Sequence, residues 1–393
     1  MKNTKHIQHT SPDPEVILQP SLFSTTTDTQ KNNIPSNNDG DIFHTVPGLL
    51  SSDITDVVPI ALHDLEAMRL LLSGDSVVDW NRANFRNMEE VNRFLGLHLL
   101  DYADAQDKRR LEYLFASAVE YLEQHIGLRF TQDVKEIPDI RNLFLLASQN
   151  ESFRRRQVLA CTTLKIMHVL QHMDSAELRY QAPLAEATLL AKAEEKILIK
   201  AKELQTLYPN VLEFYGSRKQ RESVISKLLV KKGDVASTVF DKLRFRIITK
   251  SEDDLLPVLV WLGQHVFPFN FIIPEQSHNN LLSFSQMLLK LQMAEPLSNG
   301  VEHTEKSEAQ NGYSSARYKV INFIADVPVS LDTLIPNYPY TEKQGKVVYV
   351  MVEFQVIDCI TAENNEQGDS AHEKYKQRQL EQVKNRLQHG KNR

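Results

Sequence analysis

Cysteine is scarce in this 393-residue chain: Cys161 and Cys359 are the only two, and no CxxC motif occurs. The composition excludes a disulfide framework and a cysteine-rich zinc site, and it favours a reducing compartment, the cytoplasm. Long hydrophobic runs are also missing, since no apolar stretch approaches the roughly 20 residues that span a bilayer. The first residues, MKNTKHIQHTSPDP, lack the apolar segment of a secretory signal. We therefore expect no membrane partner.

A large excess of one charge is missing as well. The chain has 45 Lys and Arg residues against 51 Asp and Glu residues, which gives a formal net charge of −6. This value argues against a histone-like or polyanionic protein. It is compatible with a local basic site, because a bound phosphate responds to the charges near it.

The composition changes twice along the chain. Residues 1–56 are rich in Ser, Thr, Asn, Asp, Gln and Pro, so they bury too little apolar surface to fold and are predicted to be a disordered tail. Residues 57–207 carry apolar residues at spacings of three and four, which predicts an all-helical domain. Residues 208–393 contain segments rich in β-branched and aromatic residues, which predict an α+β domain.

Within the α+β domain, the pattern predicts strands at 243–249, 269–274, 319–327 and 346–358. A helix is predicted between the first two strands, because Ser251 and three acidic residues form an N-cap signal before a helical repeat. Residues 276–312 are interpreted as an insertion, and a helix with a basic face follows from residue 371.

A basic stretch at 216–232 is the first candidate binding element. It contains six Lys or Arg residues and one Glu. Lys219, Ser223 and Lys227 lie just before or within a predicted short helix, and positive side chains around a helix N-terminus bind phosphate. The alternative is a solvated basic surface.

Two carboxylates form the second candidate. Asp241 lies at the mouth of the first predicted strand, which also contains Arg246, and Glu353 shares one face of the last strand with Gln355. A glutamate in so apolar a strand is costly unless it faces a polar cleft. Asp241 and Glu353 on neighbouring strands would form an oxygen-rich site suited to Mg²⁺. The alternative is a helix cap or a simple ion pair.

Aromatic and histidine residues complete the candidates. Tyr313 follows Gly312 and could stack on a base, or simply anchor the start of a strand. His168 and His172 are four residues apart and share a helix face, but Val169 stands where a zincin motif has Glu, so an ordinary helix face is favoured. The pair His63 and Asp64 has no acidic continuation and is also interpreted as helix surface. His98 is interpreted as a packing or surface residue.

Taken in order over about residues 208–380, these segments resemble the nucleotidyltransferase (alarmone synthetase) domain of the RelA/SpoT family. The family's pattern reads roughly G-R-x-K-S-x-x-S-I-x-x-K, D-L-x-A-x-R-I, G-Y-x-S-x-H, E-x-Q-I-R and A-x-H-x-x-Y-K. The matching residues are Gly216, Lys219, Ser223, Val224 and Lys227; Asp241, Leu243 (one place late), Arg246 and Ile247; Gly312, Tyr313 and Ser315; Glu353 and Gln355; and Ala371 (one place late), His372, Tyr375 and Lys376.

The resemblance implies a nucleotidyltransferase domain with a mixed β-sheet flanked by helices, placed after the all-helical domain. It also implies transfer of the β,γ-pyrophosphate of ATP to the 3′-hydroxyl of GDP or GTP. The implied roles are Mg²⁺ binding by Asp241 and Glu353, phosphate contacts by Lys219, Ser223, Lys227 and Arg246, guanine stacking by Tyr313, and support of the acceptor by Gln355 and His372.

Two alternatives stay open beside this function. The acceptor could be the 3′ end of a tRNA, for which the basic C-terminal helix offers phosphate contacts. The domain could also be a catalytically degenerate binding module. Departures from the family pattern support that second alternative, since Arg244, Arg317, Ile357 and Asp358 replace its usual residues. The segment FNFIIPEQ also lacks both lysines of the family's K-D-Y-I-x-x-P-K.

Overall fold

The chain folds into a group of helices followed by a mixed β-sheet, which confirms the predicted α+β class. The computed structural model describes residues 62–73, 85–149, 154–230, 242–273, 276–282, 318–366 and 372–388. The predicted tail, Asp241, Tyr313 and most of the predicted insertion lie outside these residues. No helix within the described ranges is both long and apolar enough to cross a membrane.

The helices before the sheet follow the period of three to four that the sequence shows. They are α1 (Leu62–Ser73), α2 (Met88–Leu97), α3 (Ala105–Gln124), α4 (Gln132–Lys135), α5 (Arg141–Ser148), α6 (Arg154–Gln181) and α7 (Glu186–Leu207). The helices after the first strand are α8 (Arg221–Val230), α9 (Leu255–His265), α10 (Cys359–Glu366) and α11 (His372–Gln388).

In the described part of the chain, five strands form the sheet in the order β1-β2-β5-β4-β3. Their bounds are β1 (Val211–Arg218), β2 (Leu243–Thr249), β3 (His278–Asn279), β4 (Ile321–Ser330) and β5 (Val347–Asp358). The central pair, β2 and β5, is parallel, and the other neighbours are antiparallel. The sheet is therefore mixed, as the resemblance implies.

One predicted strand is wrong, and two strands, β1 and β3, were not predicted; β3 lies within the segment interpreted as an insertion. The strand expected at 269–274 is a 3-10 turn at Phe269–Phe271 followed by an isolated bridge from Ile272 to Ala325. Its apolar residues fill the core from this turn, and an apolar run alone does not distinguish a strand from a buried turn. The strand β1 was not predicted, because its glycine and basic end resemble a loop before a helix.

The predicted cap at Ser251 is confirmed, but the element that it begins is a 3-10 turn (Glu252–Asp254), and α9 follows directly at Leu255. The side chain of Asp254 accepts hydrogen bonds from the backbone N–H of Ser251 at 2.9 Å and from its hydroxyl at 2.6 Å. Tyr208, at the end of α7, also donates to Asp254, so the helix start is tied to the chain that enters β1.

Among the described residues, two large hydrophobic cores and one small cluster support the fold, and the boundary between the two large cores does not fall at residue 207. One core lies between α2, α3, α5 and the first part of α6. The other joins α1, α7 and α9 to one face of the sheet, with Phe245, Phe323 and Phe354 at its centre. Amphipathic spacing shows that a helix has an apolar face, but not which partner covers it.

A buried arginine connects the helical region to the sheet. Arg110 of α3 is 2% exposed and pairs with Asp174 of α6 at 2.8 Å. It also donates to Gln171 and to the backbone carbonyls of Glu342 and Lys343, in the turn between β4 and β5. A charge so deeply buried needs all of these partners to offset its lost hydration.

Histidines cluster along the same contact between helices and sheet. His168 and His172 of α6 lie edge to face, with ring centroids 4.5 Å apart, and both contact Phe271. His98 is buried, and burial lowers its pKa to about 4 although a bond to the carbonyl of Phe94 favours the charged form. It is therefore a neutral packing residue at physiological pH.

Replacing Arg110 with Ala is expected to lower the free energy of unfolding by about 3–5 kcal/mol, because Asp174 would stay buried without its partner. Arg109→Ala is the matched control: its pair with Glu342 is about half exposed on both sides, so a loss within about 1 kcal/mol is expected. Urea unfolding of both variants measures the difference. Equal losses would contradict the role assigned to Arg110.

The buried histidine predicts a loss of stability in acid. Below the usual pKa of 6.5 the unfolded chain takes up a proton at His98, whereas the folded chain does so only near pH 4. The unfolded state thus binds more protons, and stability falls as the pH is lowered from 6.5 toward 4. His98→Gln should remove up to about 3 kcal/mol of this loss, as measured by urea unfolding at pH 7 and pH 4.5. An unchanged pH dependence would contradict a neutral His98.

Candidate functional site

The face of the sheet opposite the larger core is polar. In register across the strands, Tyr215 pairs with Arg246, Arg246 with Gln355, Gln355 with Asn322, and Asn322 with His278. The next row contains Ser217, Arg244 and Glu353. Because side chains alternate along a strand, all of these residues lie on one face, while Phe245 and Phe354 lie on the other.

Arg244 and Glu353 form the central contact of this face. The guanidinium Nε of Arg244 donates to Oε2 of Glu353 at 2.6 Å, and the Glu353 side chain is 8% exposed. The other carboxylate oxygen accepts from the amide of Gln355 at 3.4 Å. Glu353 is thus a buried carboxylate whose charge is balanced by Arg244 on the neighbouring strand β2.

Arg246 is the second cation of the face. It hydrogen-bonds Tyr215 and lies 3.7 Å from the carboxylate of Glu366, which is 72% exposed. Burial raises the pKa of Tyr215 and of Tyr318, which faces both arginines and Glu353. Both hydroxyls therefore stay protonated at neutral pH. The face presents two arginines and two phenols around one buried carboxylate.

Two buried polar atoms in the row that contains Arg246, Gln355 and Asn322 lack a hydrogen-bond partner among the described residues. They are Nε of Arg246, a donor, and Oδ1 of Asn322, an acceptor. Gln355 lies between them in the strand register. An unsatisfied buried donor or acceptor is costly, so these atoms mark a place suited to a ligand that accepts at Arg246 and donates at Asn322.

The basic stretch continues from the same face. Lys219 follows β1, and its N–H donates to the carbonyl of Lys242 at 2.9 Å, so it extends the pairing toward β2. Ser223 and Lys227 lie four residues apart on α8 and are half-buried. Arg218 instead points to the core side, where it pairs with the buried carboxylate of Glu194 on α7.

Gly216 is required by packing. It lies opposite Phe245, and a Cβ atom at this position would come within 2.9 Å of the phenylalanine ring. Phe245 is fully buried. The glycine that opens the family-like motif therefore has a structural role, because only a hydrogen fits against the ring.

Four of the predicted residues are brought to one face or its edge: Glu353, Gln355, Arg246 and Lys219. Ser223 and Lys227 lie on α8, and α11 packs against this helix. His372 is the first residue of α11, and its predicted role stays a prediction. Asp241 and Tyr313 lie outside the described residues, and their roles stay predictions.

Two departures from the family pattern have structural explanations. Ile357 is 1% exposed and packs with Ile248, Val320 and Ala362 beneath α10. Asp358 accepts from the N–H of Thr361 at 2.9 Å and so caps the start of α10. Ile357 by packing and Asp358 by capping hold α10 in place at the end of the polar face.

The donor atoms of Glu353 fit a magnesium ion in part. The carboxylate keeps lone pairs beyond its bonds to Arg244 and Gln355, and Mg²⁺ is commonly bound by one or two carboxylates together with substrate phosphates. No group of three His, Cys, Asp or Glu side chains in the described ranges is arranged to hold a metal. Asp174, two residues after His172 on α6, does not add a metal ligand to the histidine pair, because its carboxylate is paired with Arg110.

Sequence reasoning missed three residues of the face: Tyr215, Tyr318 and Asn322. Tyr215 was missed because β1 was not predicted, although Phe214 and Tyr215 have strong strand propensity. Asn322 carries a detectable signal, since it is a polar residue between Ile321 and Phe323 in an apolar strand. Only the register of β4 against β5 shows that it lies beside Gln355.

The sequence matches no protein-family model, and it matches no curated protein. Similar solved structures include small alarmone synthetase 1 from Bacillus subtilis (15% identity, TM-score 0.29) and the same protein bound to its product pppGpp (16%, 0.29), each over 51% of this chain and 87% of theirs. A GTP pyrophosphokinase family protein from Streptococcus pneumoniae is also similar (14%, TM-score 0.28, 51% of this chain and 84% of that chain). These proteins are of the kind that the motifs resemble. At so low an identity and TM-score, the function of this chain has to be supported by its own residues.

Gly216→Ala is expected to lower the free energy of unfolding by about 1–3 kcal/mol, because the added methyl group would overpack the buried ring of Phe245. Gly96→Ala is the control: a Cβ there meets no atom within 4 Å, and Ala stabilises a helix relative to Gly. Urea unfolding of the two variants should give changes of opposite sign. A neutral Gly216→Ala variant would contradict the close contact.

Proposed function

We propose that the polar face of the sheet binds ATP and a guanosine nucleotide, and that it transfers pyrophosphate to the acceptor's 3′-hydroxyl. The observation that carries the proposal is the grouping of Arg244, Arg246 and Glu353 on neighbouring strands, beside the unpartnered atoms of Arg246 and Asn322. Two cations beside a buried carboxylate suit a reaction in which a hydroxyl attacks a phosphate.

In the proposed reaction the acceptor's 3′-oxygen attacks the β-phosphorus of ATP. A new O–P bond forms, the bond from the β-phosphorus to the oxygen that bridges it to the α-phosphorus breaks, and AMP leaves with that oxygen. Glu353 accepts the proton of the attacking hydroxyl. Mg²⁺, held by Glu353, Asp241 and the phosphates, would neutralise negative charge on the transferred group.

Arg246 is proposed to bind the phosphates through the guanidinium edge that carries its unpartnered Nε. Positive groups placed before the reaction stabilise the charge that develops on the phosphate oxygens. Arg244 is proposed to add a second positive charge, which offsets the two missing family lysines. Its bond to Glu353 also holds the carboxylate in one orientation.

The remaining assignments follow the motif. Lys219, Ser223 and Lys227 are proposed to contact phosphates from the edge of the sheet. Tyr313 is proposed to stack on guanine, and Gln355 and His372 to support the acceptor. Asn322, beside Gln355, offers an acceptor atom for an N–H group of a base.

A second acceptor, the 3′ end of a tRNA, is favoured by one observation. The helix α11 packs against α8, and its Lys376 and Lys384 are exposed. An RNA backbone bound along α11 would therefore run beside the helix that carries Ser223 and Lys227. Such binding would weaken steeply with salt, because phosphate contacts release counterions.

Purified protein incubated with labelled ATP, Mg²⁺ and GDP or GTP is expected to release AMP and to form a 3′-pyrophosphorylated nucleotide, separated by thin-layer chromatography. Glu353→Gln should lower the rate by about 10²–10⁴-fold, because the amide cannot accept the proton. Glu363→Gln, which changes an exposed glutamate of α10, should leave the rate unchanged.

The same assay with tRNA as acceptor separates the two substrates. Product with tRNA alone would replace the nucleotide acceptor by the RNA end. Absence of AMP with every acceptor, while circular dichroism shows a folded protein, would contradict catalysis and favour a binding module.

A further inference from the structure

A cavity lies between the helical region and the segment that follows α9. Its walls are mostly apolar and include the aromatic rings of Phe94, Phe144 and Phe271, with leucines from α2, α3 and α6. About 60 Å³ of this cavity is open to the centre of a water-sized sphere. In a cavity that just fits one water molecule, that centre has almost a single position. The space therefore suits a molecule larger than water.

In this wall, the tautomer of His98 fixes the orientation of the Asn270 amide. Nδ1 of His98 lies 2.8 Å from the carbonyl oxygen of Phe94. A carbonyl only accepts, so Nδ1 carries the proton and Nε2 is an acceptor. The amide of Asn270 must then present its NH₂ group to Nε2 of His98, at 3.3 Å. The same NH₂ group donates to Nδ1 of His168 at 3.1 Å.

This orientation leaves the amide oxygen of Asn270 without a donor. Asn270 is 7% exposed, it lines the cavity, and its Oδ1 is buried with no hydrogen-bond partner in the described part of the chain. Rotating the amide by half a turn would place Oδ1 against the lone pair on Nε2 of His98 and break that bond, so the contact with His98 fixes the orientation. The oxygen is thus an unsatisfied acceptor in a mostly apolar space, and such an atom is costly unless a ligand or water donates to it.

The charge of the walls restricts the class of ligand. Burial lowers the pKa of His98 to about 4 and that of His168 well below its usual value, so both rings are neutral. Lys165 is the charged residue among those that line the cavity, and it is only half-buried. A charged ligand would lose its hydration without a buried counter-ion, so the cavity favours a neutral one.

We propose that this cavity is a binding site for a small neutral aromatic molecule that carries one O–H or N–H group, which donates to Oδ1 of Asn270. The three phenylalanine rings would pack on the ligand's ring, and the amide oxygen would select for the donor. The site is distinct from the polar face of the sheet, and it does not depend on the function proposed for that face.

The test compares phenol with toluene, which have similar size and differ in one hydroxyl. Dissociation constants for the full chain are measured by NMR titration at pH 7.5. Phenol is expected to bind about tenfold more tightly than toluene, as one additional hydrogen bond to a buried acceptor would give. Equal affinities, or no binding of either compound, would overturn the proposal and leave water as the occupant.

Two variants locate the site. Asn270→Leu should abolish the preference for phenol, since it replaces the amide by an apolar group of similar size, while Asn364→Leu, at an exposed position on α10, should keep it. If Asn270→Leu does not fold, Leu114→Phe narrows the cavity from α3 and keeps Asn270, and it should weaken phenol binding at least fivefold. An unchanged preference in the folded Asn270→Leu protein, or unchanged affinity in Leu114→Phe, would contradict this location.

Discussion

The register between β2 and β5 is the constraint on which the candidate site depends. In this parallel pair Arg244 lies beside Glu353 and Arg246 beside Gln355, and the same register places Phe245 beside Phe354 on the opposite face. A slip of one residue would turn both arginines into the hydrophobic core and the aromatic rings out of it. The packing of the aromatic face, against α7 and α9, therefore also determines the geometry of the polar face.

The two arginines of the polar face differ in how far they are committed to internal partners. Arg244 forms a short bond to a buried carboxylate, which orders both side chains. Arg246 has an exposed glutamate at 3.7 Å, and such a pair contributes little. One cation thus holds the carboxylate in place, and the other has a buried N–H that an incoming anion can satisfy.

The helical region and the sheet are joined by buried polar contacts as well as by apolar packing. Arg110 reaches the turn between β4 and β5, and Ser175 of α6 donates to the carbonyl of Val347. On the other side of this contact, the segment that contains Asn270 continues directly to Ile273, whose N–H donates to Ile324. Ile324 lies opposite Glu353 in the strand register. The cavity wall and the polar face therefore share one short stretch of backbone.

Much of the fold was readable from local patterns. The helical periodicity, the strands at 243–249 and 346–358 and the Ser251 cap depend on neighbouring residues, so the sequence predicts them well. The turn at Phe269–Phe271 was missed because a short apolar segment forms either a strand or a buried turn, and only its surroundings decide between them. The strand β1 was missed because its glycine and basic end resemble a loop before a helix.

In the candidate site, too, some features follow from the local sequence and others only from tertiary contacts. By itself the sequence determined that Glu353 and Gln355 share a face, since alternation along a strand is local. Only the tertiary structure decided that Arg244 neutralises Glu353, that Gly216 lies against Phe245, and that Asn270 has an unsatisfied oxygen beside two histidines. Each of these contacts joins residues far apart in the chain, and their meeting is set by strand register and helix packing, which no local pattern encodes.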